Sequence, residues 1–212
     1  MAAPSTAVEI CNLALDRLGQ RDISSIDSPS TELETICARQ FPETVREVLR
    51  RYIFNFARKL DEIEASETVT PAFGFTYAFE LPEDFIRLLA LGDTTINDDT
   101  PGALYTLSEG HIFTDITDGD DLKISYIYEA TDIIELWDPL FTRLVVLHLA
   151  ANIAYKLTLK NSLIREIRED AADVALAAAA VAGQEKPPRR IERSRIITAR
   201  RGGLNPDSTR YP

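Results

Sequence analysis

Apolar positions along the chain follow two rhythms. In the first fifty residues, and again from about 137 to 183, they recur every three to four positions; in between they tend to alternate. The longest apolar stretch is WDPLFTRLVVLHLAANIAYKLTL, from Trp137 to Leu159. Asp138 suits an N-cap and Pro139 a first helical position, so the start of a helix is signalled. Leu140, Leu144, Leu147, Ala151, Ala154 and Tyr155 form one stripe, and Val145, Leu149 and Ile153 widen it to more than one face. A helix apolar on several sides must be buried on several sides, which predicts the central helix of a bundle.

Three further helices surround that expectation. Thr6 to Glu9 reads as a capping box, followed by Val8, Cys11, Leu15 and Leu18 on one face and Gly19 as a stop. Thr31 to Glu34 is a second capping box, opening a helix with Leu33, Ile36, Cys37, Phe41, Val45, Val48 and Leu49 inward. Pro42 falls inside that pattern without breaking its phase, which predicts a kink. Tyr52, Phe54 and Phe56 pack near its end. The fourth helix, SLIREIREDAADVALAAAAVAGQ, runs to Gly183 with an Ala-rich end that permits close approach of a neighbour.

Between these parts the texture changes. PAFGFTYAFELP alternates and is aromatic-rich, FIRLLALGD is a short apolar run, and LYTLSEGHIFTDITDGDDLKISYIYEA reads as short strands separated by Glu109-Gly110 and Asp118-Gly119-Asp120. Leu122, Ile124, Tyr126 and Tyr128 alternate as a half-buried strand does. The expected class is α+β: a four-helix bundle (1–68 and 131–184), an inserted small antiparallel β-domain (69–130) and an extended C-terminal arm (185–212). EKPPRRIERSRIITARRGGLNPDSTRYP has too little apolar mass for a core of its own.

Composition refines this only in places. At 45% hydrophobic and 27% charged residues, the 212-residue chain is ordinary for a globular protein. No run approaches about 18 uninterrupted apolar residues, because Arg143 and His148 interrupt the best candidate. MAAPSTAVEI lacks the basic start and apolar core of a signal peptide. Cys11 and Cys37 sit on expected helices among apolar neighbours and read as buried thiols in a reducing compartment. Charge is the strongest asymmetry. Residues 186–212 hold eight Lys and Arg against two acids, and residues 1–185 hold 15 basic against 32 acidic residues. An acidic body repels DNA in general, while a basic arm seeks phosphate or an acidic protein surface. The arm offers only Tyr211 as an interleaved aromatic, so a partner arm is favoured over a nucleic-acid patch.

Chemistry is largely absent from the pattern. The two histidines, His111 and His148, lie 37 positions apart with no Cys or His beside them. His148 reads as a hydrogen-bonded core or interface histidine and His111 as strand-exposed. No nucleophile elbow, Walker A loop or GxGxxG is present. The carboxylate pairs Asp61/Glu62, Glu83/Asp84, Asp98/Asp99 and Asp120/Asp121 fall at turn-like positions, where adjacent carboxylates are normally solvated. No catalytic residue, cofactor site or metal site is singled out, and no enzyme activity is expected.

The succession EICNLALDRLGQ, TELETICARQFPETVREVLRRYIFNFARK, YAFELPEDFIRLL, HIFTDI and LKISYIYEATDIIELWDPLFTRLVVLHLAANIAYKLT resembles the tail tubular protein A family, the head-to-tail adaptors of short-tailed bacteriophages. The resemblance covers about residues 7–180 and lies in the ordered set of motifs. Phe54 stands where the family often has Trp before Asn, and no residue-level match extends into the C-terminal arm. The resemblance implies a structural protein, twelve copies of which form a ring beneath the portal, extend the DNA channel for genome retention and ejection, and dock the nozzle (a tail tubular protein B-like component) and in many phages the fibres. It further implies that DNA passes through without sequence-specific binding, that no membrane is involved, and that the protein is made in the host cytoplasm and resides in the virion tail. On this reading Arg189, Arg190, Arg193 and Arg195 are expected to contact the portal or a neighbouring subunit. Arg143 and His148 become candidates for the subunit interface, and the loops NDDTPG and TDGDD face the nozzle or fibres. Two alternatives from other classes are a tail-associated cell-wall or polysaccharide hydrolase and a DNA-binding protein using the basic arm.

Overall fold

A computed structural model describes residues 4–71, 74–92, 94–96, 104–117, 121–157 and 161–185. It is a mixed α+β structure with four α-helices and two small antiparallel sheets. The helices are α1 (Ala7–Arg17), α2 (Glu32–Arg51), α3 (Pro139–Leu157) and α4 (Asn161–Gln184). The strands are β1 (Arg58–Glu64), β2 (Tyr77–Glu80), β3 (Phe85–Leu91), β4 (Thr94–Thr95), β5 (Tyr105–Ser108), β6 (His111–Thr114) and β7 (Asp121–Tyr128).

Local chemistry accounts for where the helices begin and end. Both capping boxes form: Thr6 accepts from the Glu9 amide while Glu9 reaches back, and Thr31 and Glu34 do the same. Gly19, at φ 65°, closes α1 with the Gly19 amide on the Asp16 carbonyl and the Gln20 amide on the Leu15 carbonyl. That paired pattern needs a left-handed residue, which glycine supplies without a Cβ penalty. Asn12 then pins the following loop, donating to the Ile23 carbonyl at 3.1 Å and accepting from its amide at 2.8 Å. At α3, Asp138 Oδ1 accepts from the amides of Leu140 (2.7 Å) and Phe141 (3.3 Å). Pro42 lies within α2, which is one continuous helix from Glu32 to Arg51.

α3 packs against α1, α2 and α4. Its buried residues, from Phe141 through Leu144–Leu147 to Ala154, point in all directions around the helix. It is the one described helix long and apolar enough to cross a membrane by length and composition, and 56% of that stretch is buried inside the structure. An aromatic cluster closes its first turn. Phe54 and Phe56 each meet Phe141 edge-on at 4.9 Å, Trp137 meets it at 4.7 Å, and Trp137 stacks on Phe41 at 6.2 Å. The Trp137 indole N–H donates to the Ala130 carbonyl at 2.8 Å, so the buried donor is satisfied.

The sheets have orders β1-β7-β3-β4 and β2-β6-β5. The larger sheet includes Arg58–Glu64, which the sequence pattern did not mark as a strand: RKLDEIE carries five charges in seven residues. Its pairing with β7 runs without interruption from Arg58↔Ile127 to Glu64↔Asp121. Where one sheet was expected there are two, joined by the Ala65↔Phe79 bridge. β5 and β6 form a hairpin whose turn residues, Glu109 and Gly110, both have positive φ (50° and 75°), the backbone of the tight turn that matches strand twist. Leu89 and Ile127 of the larger sheet join the helical core, while Leu88, Leu91, Leu122, Ile124 and Tyr126 form a second core with Phe79 and Ile112 of the smaller sheet. Arg46 ties α2 to this layer through Glu129, at 2.9–3.0 Å.

Candidate functional site

Three places gather polar groups or expose apolar surface. The first is the N-terminal end of α2. Glu34 is buried and accepts five hydrogen bonds, from the amides and hydroxyls of Ser24 and Ser30 and from the Thr31 amide. The Ser30 amide, with these other donors, holds its carboxyl far below the usual carboxylate range. Every acceptor site faces a fixed donor, so this carboxylate anchors the loop before α2 and has no capacity left for chemistry.

The second is the edge between the sheets. Tyr126 has a fully buried ring and donates its hydroxyl to Asp84 Oδ1 at 2.9 Å, while Lys59 Nζ sits 3.1 Å from Asp84 Oδ2 and 5.7 Å from the Tyr126 ring centroid. Burial pushes the Tyr126 phenol up to about 12. Of the acidic pairs, Asp84 is thus committed to Lys59 and Tyr126; Asp61 lies 3.9 Å from Lys59, and Glu62 3.7 Å from Lys123. Asp98, Asp99 and Asp120 lie outside the described residues. Among the described residues no group of His, Cys, Asp and Glu has metal-holding geometry.

The third lies along α4. One face of this helix packs on α3 through Ile164, Ile167, Ala171, Val174, Ala175 and Ala178. From Val174 to Gly183 the sequence VALAAAAVAG has no polar side chain at all, so its outward face is also apolar: Leu176 is 72% exposed and Val181 40%. Leu136, 67% exposed, lies at the same end and lines a cleft with Val181, Ala182, Phe54 and Phe56. Further up α4, a cleft of about 330 Å³ opens between α2, α3 and α4, lined by Glu47, Arg51, Tyr52, His148, Asn152 and Arg168 together with small alanines. His148 is half-buried, its ring edge-on to Tyr52 at 6.2 Å, and its Nε2 is covered and lacks a hydrogen-bond partner among the described residues. That differs from the hydrogen-bonded histidine expected from sequence.

Arg143 is exposed on α3. Five positions from His148, it points roughly 140° away around the helix, so the two do not share a surface. His111 is half-buried on β6, its Nδ1 2.8 Å from the Glu109 carbonyl oxygen. Arg189, Arg190, Arg193, Arg195, the loop NDDTPG and most of TDGDD lie outside the described residues. Cys11 and Cys37 are both buried free thiols. What sequence reasoning missed is the cleft: Arg51 and Arg168 are 117 positions apart, and no local spacing announces that they line one cavity. No family model matches the chain, and no curated protein matches it.

Proposed function

We propose that the chain is a structural subunit of a head-to-tail connector in a short-tailed bacteriophage, assembling as a ring between portal and nozzle. The observation that carries the reading is the apolar outward face of α4. A surface helix normally turns a polar face to water. Here Leu176, Ala177, Ala179, Ala180 and Val181 do not, and small side chains let a second backbone approach closely. A ring subunit needs such a face, and the resemblance of residues 7–180 to the tail tubular protein A family supplies the kind of ring. In this reading the four helices act as a bundle, the inserted β-domain, expected over 69–130, starts already at Arg58 with β1, and 185–212 is an arm whose arginines reach the portal. The acidic body suits a channel wall, because like charge keeps DNA from adhering as it passes.

Electron microscopy of the purified chain mixed with its cognate portal tests this directly. Twelve-fold rings seated on the portal are the expected result; a compact monomer without portal affinity refutes the reading. Leu176→Glu places a charge on the proposed subunit contact. It is expected to leave the melting temperature of the monomer nearly unchanged, since exposed substitutions fall within about 0.5 kcal/mol, while ring formation is lost.

A further inference from the structure

We propose that the cleft between α2, α3 and α4 is an oxyanion site, in which Arg51 and Arg168 reach from opposite walls to a phosphate or carboxylate beside His148. The body of the protein carries 32 acidic against 15 basic residues through position 185, so a guanidinium has no shortage of carboxylates to pair with. Arg46 and Arg58 are engaged, with Glu43 and Glu129 and with the Ser125 hydroxyl. Arg51 and Arg168 make no ion pair or hydrogen bond among the described residues; Arg51 only lies over the Tyr52 ring at 5.8 Å. Both face one cavity large enough for a small anion, and the guanidinium fork suits two oxygens of one ligand.

His148 gives the site a second property. Burial, above all, lowers its pKa; Arg51 and Arg168 lower it further, while Glu47 on α2 opposes them. Tyr52 and Arg51 approach from the α2 end, Arg168 from α4, and Asn152, tied to Thr44 at 3.2 Å, from α3. An oxyanion between the arginines cancels their repulsion of a proton on the ring. Nε2 is covered, so the coupling acts through charge across the cleft. Anion binding therefore raises the His148 pKa, and by linkage the anion binds more tightly as pH falls through that pKa. Glu47 is the one acid in the cleft and competes for the same guanidinium groups.

Two sources can present the oxyanion: a dissolved phosphate or carboxylate, and an Asp or Glu side chain of a second copy. With only two histidines in the chain, proton NMR titration of the imidazole Cε1–H signals reads the site, and His111→Gln assigns them. Inorganic phosphate at constant ionic strength is expected to raise the His148 pKa saturably, by at least about half a unit, and to leave His111 unmoved. The shift should vanish in Arg51→Gln/Arg168→Gln and saturate at lower phosphate in Glu47→Gln, with far-UV circular dichroism confirming that each variant is folded. If a second copy supplies the oxyanion, the His148 pKa instead falls on dilution in phosphate-free buffer. A His148 pKa indifferent to both phosphate and dilution overturns the proposal, as does a shift that survives the double arginine substitution.

Discussion

The helical layer and the β layer are held together by different means. In the helical layer, α3 contributes buried residues on every side, and its surroundings supply α1, α2, α4 and the aromatic cluster around Phe141. In the β layer the shared core of the two sheets is smaller, and it is edged by polar ties: Tyr126 to Asp84, Asp84 to Lys59, and Arg58 to Ser125 at 2.7 Å. A helix surrounded by apolar neighbours is fixed by burial and needs few specific bonds. A strand can slip by one residue and turn its buried set outward, so bonds that fix register matter more there. The difference teaches where sequence patterns are strong. Burial on many sides makes a long apolar run, whereas register ties are scattered polar residues.

The largest expected effect tests the helical side. Phe141→Ala removes the ring on which Phe54, Phe56 and Trp137 converge, and should cost about 3–5 kcal/mol in urea denaturation. Phe79→Ala removes the corresponding fully buried ring between the sheets. Its cost is expected near the lower end of that range, about 3 kcal/mol, because a two-sheet core can collapse around the gap more readily than a helix enclosed by three others. Equal losses at the two positions would break the comparison.

The same contrast explains what was legible in the sequence. All four helices follow from capping boxes, Gly19, Asp138-Pro139 and the 3.6-residue period, because these signals are local. β7 follows from the alternation of Leu122, Ile124 and Tyr126, which do face the shared sheet core. β1 does not, because Arg58, Lys59, Asp61, Glu62 and Glu64 are held in a strand by pairing with β7, a partner more than fifty residues away. Tertiary pairing decided that segment and local propensity did not. The division into two sheets was equally hidden, since alternation reports a strand and not its neighbours. The cleft at His148 follows the same rule: the histidine stood out on an apolar helix, while Arg51 and Arg168 became its companions only through packing.

A smaller effect is expected where the helical layer relies on a polar device. Glu34→Gln replaces acceptor capacity with an NH₂ group facing the Ser30 and Thr31 amides. At pH 7 the fall in melting temperature should lie between that of Phe141→Ala and that of Tyr126→Phe. Its pH dependence has a fixed sign. The folded carboxyl is depressed, so its contribution is fully present above the unfolded value, about 4.3, and is lost as pH drops through the lower folded value. The gap between wild type and variant should therefore be constant from pH 7 to about 5 and close below pH 4 in thermal melts. A gap that persists unchanged at pH 2 would show that the loop is held by something other than the charge.

The smallest effect at neutral pH probes the β layer at its own polar tie. Tyr126→Phe keeps the buried ring and removes only the hydroxyl that donates to Asp84, so the expected loss is about 1 kcal/mol. It leaves Asp84 with Lys59, so no charge is stranded. The stronger discrimination comes at high pH. Burial raises the folded phenol to about 12 against about 10 in the unfolded chain. Lys59 shifts in the same direction through its contacts with Tyr126 and then Asp84. For a raised pKa the contribution is complete below the unfolded value and is lost as pH rises through the folded one, so wild type should lose stability between pH 10 and 12. Tyr126→Phe removes the phenol from that balance and should show a shallower decline over the same interval, so the two melting curves converge as pH rises. Parallel curves would mean that the Tyr126 hydroxyl opens to solvent before it ionises, and the polar edge of the β layer would then be a surface feature and not a register lock.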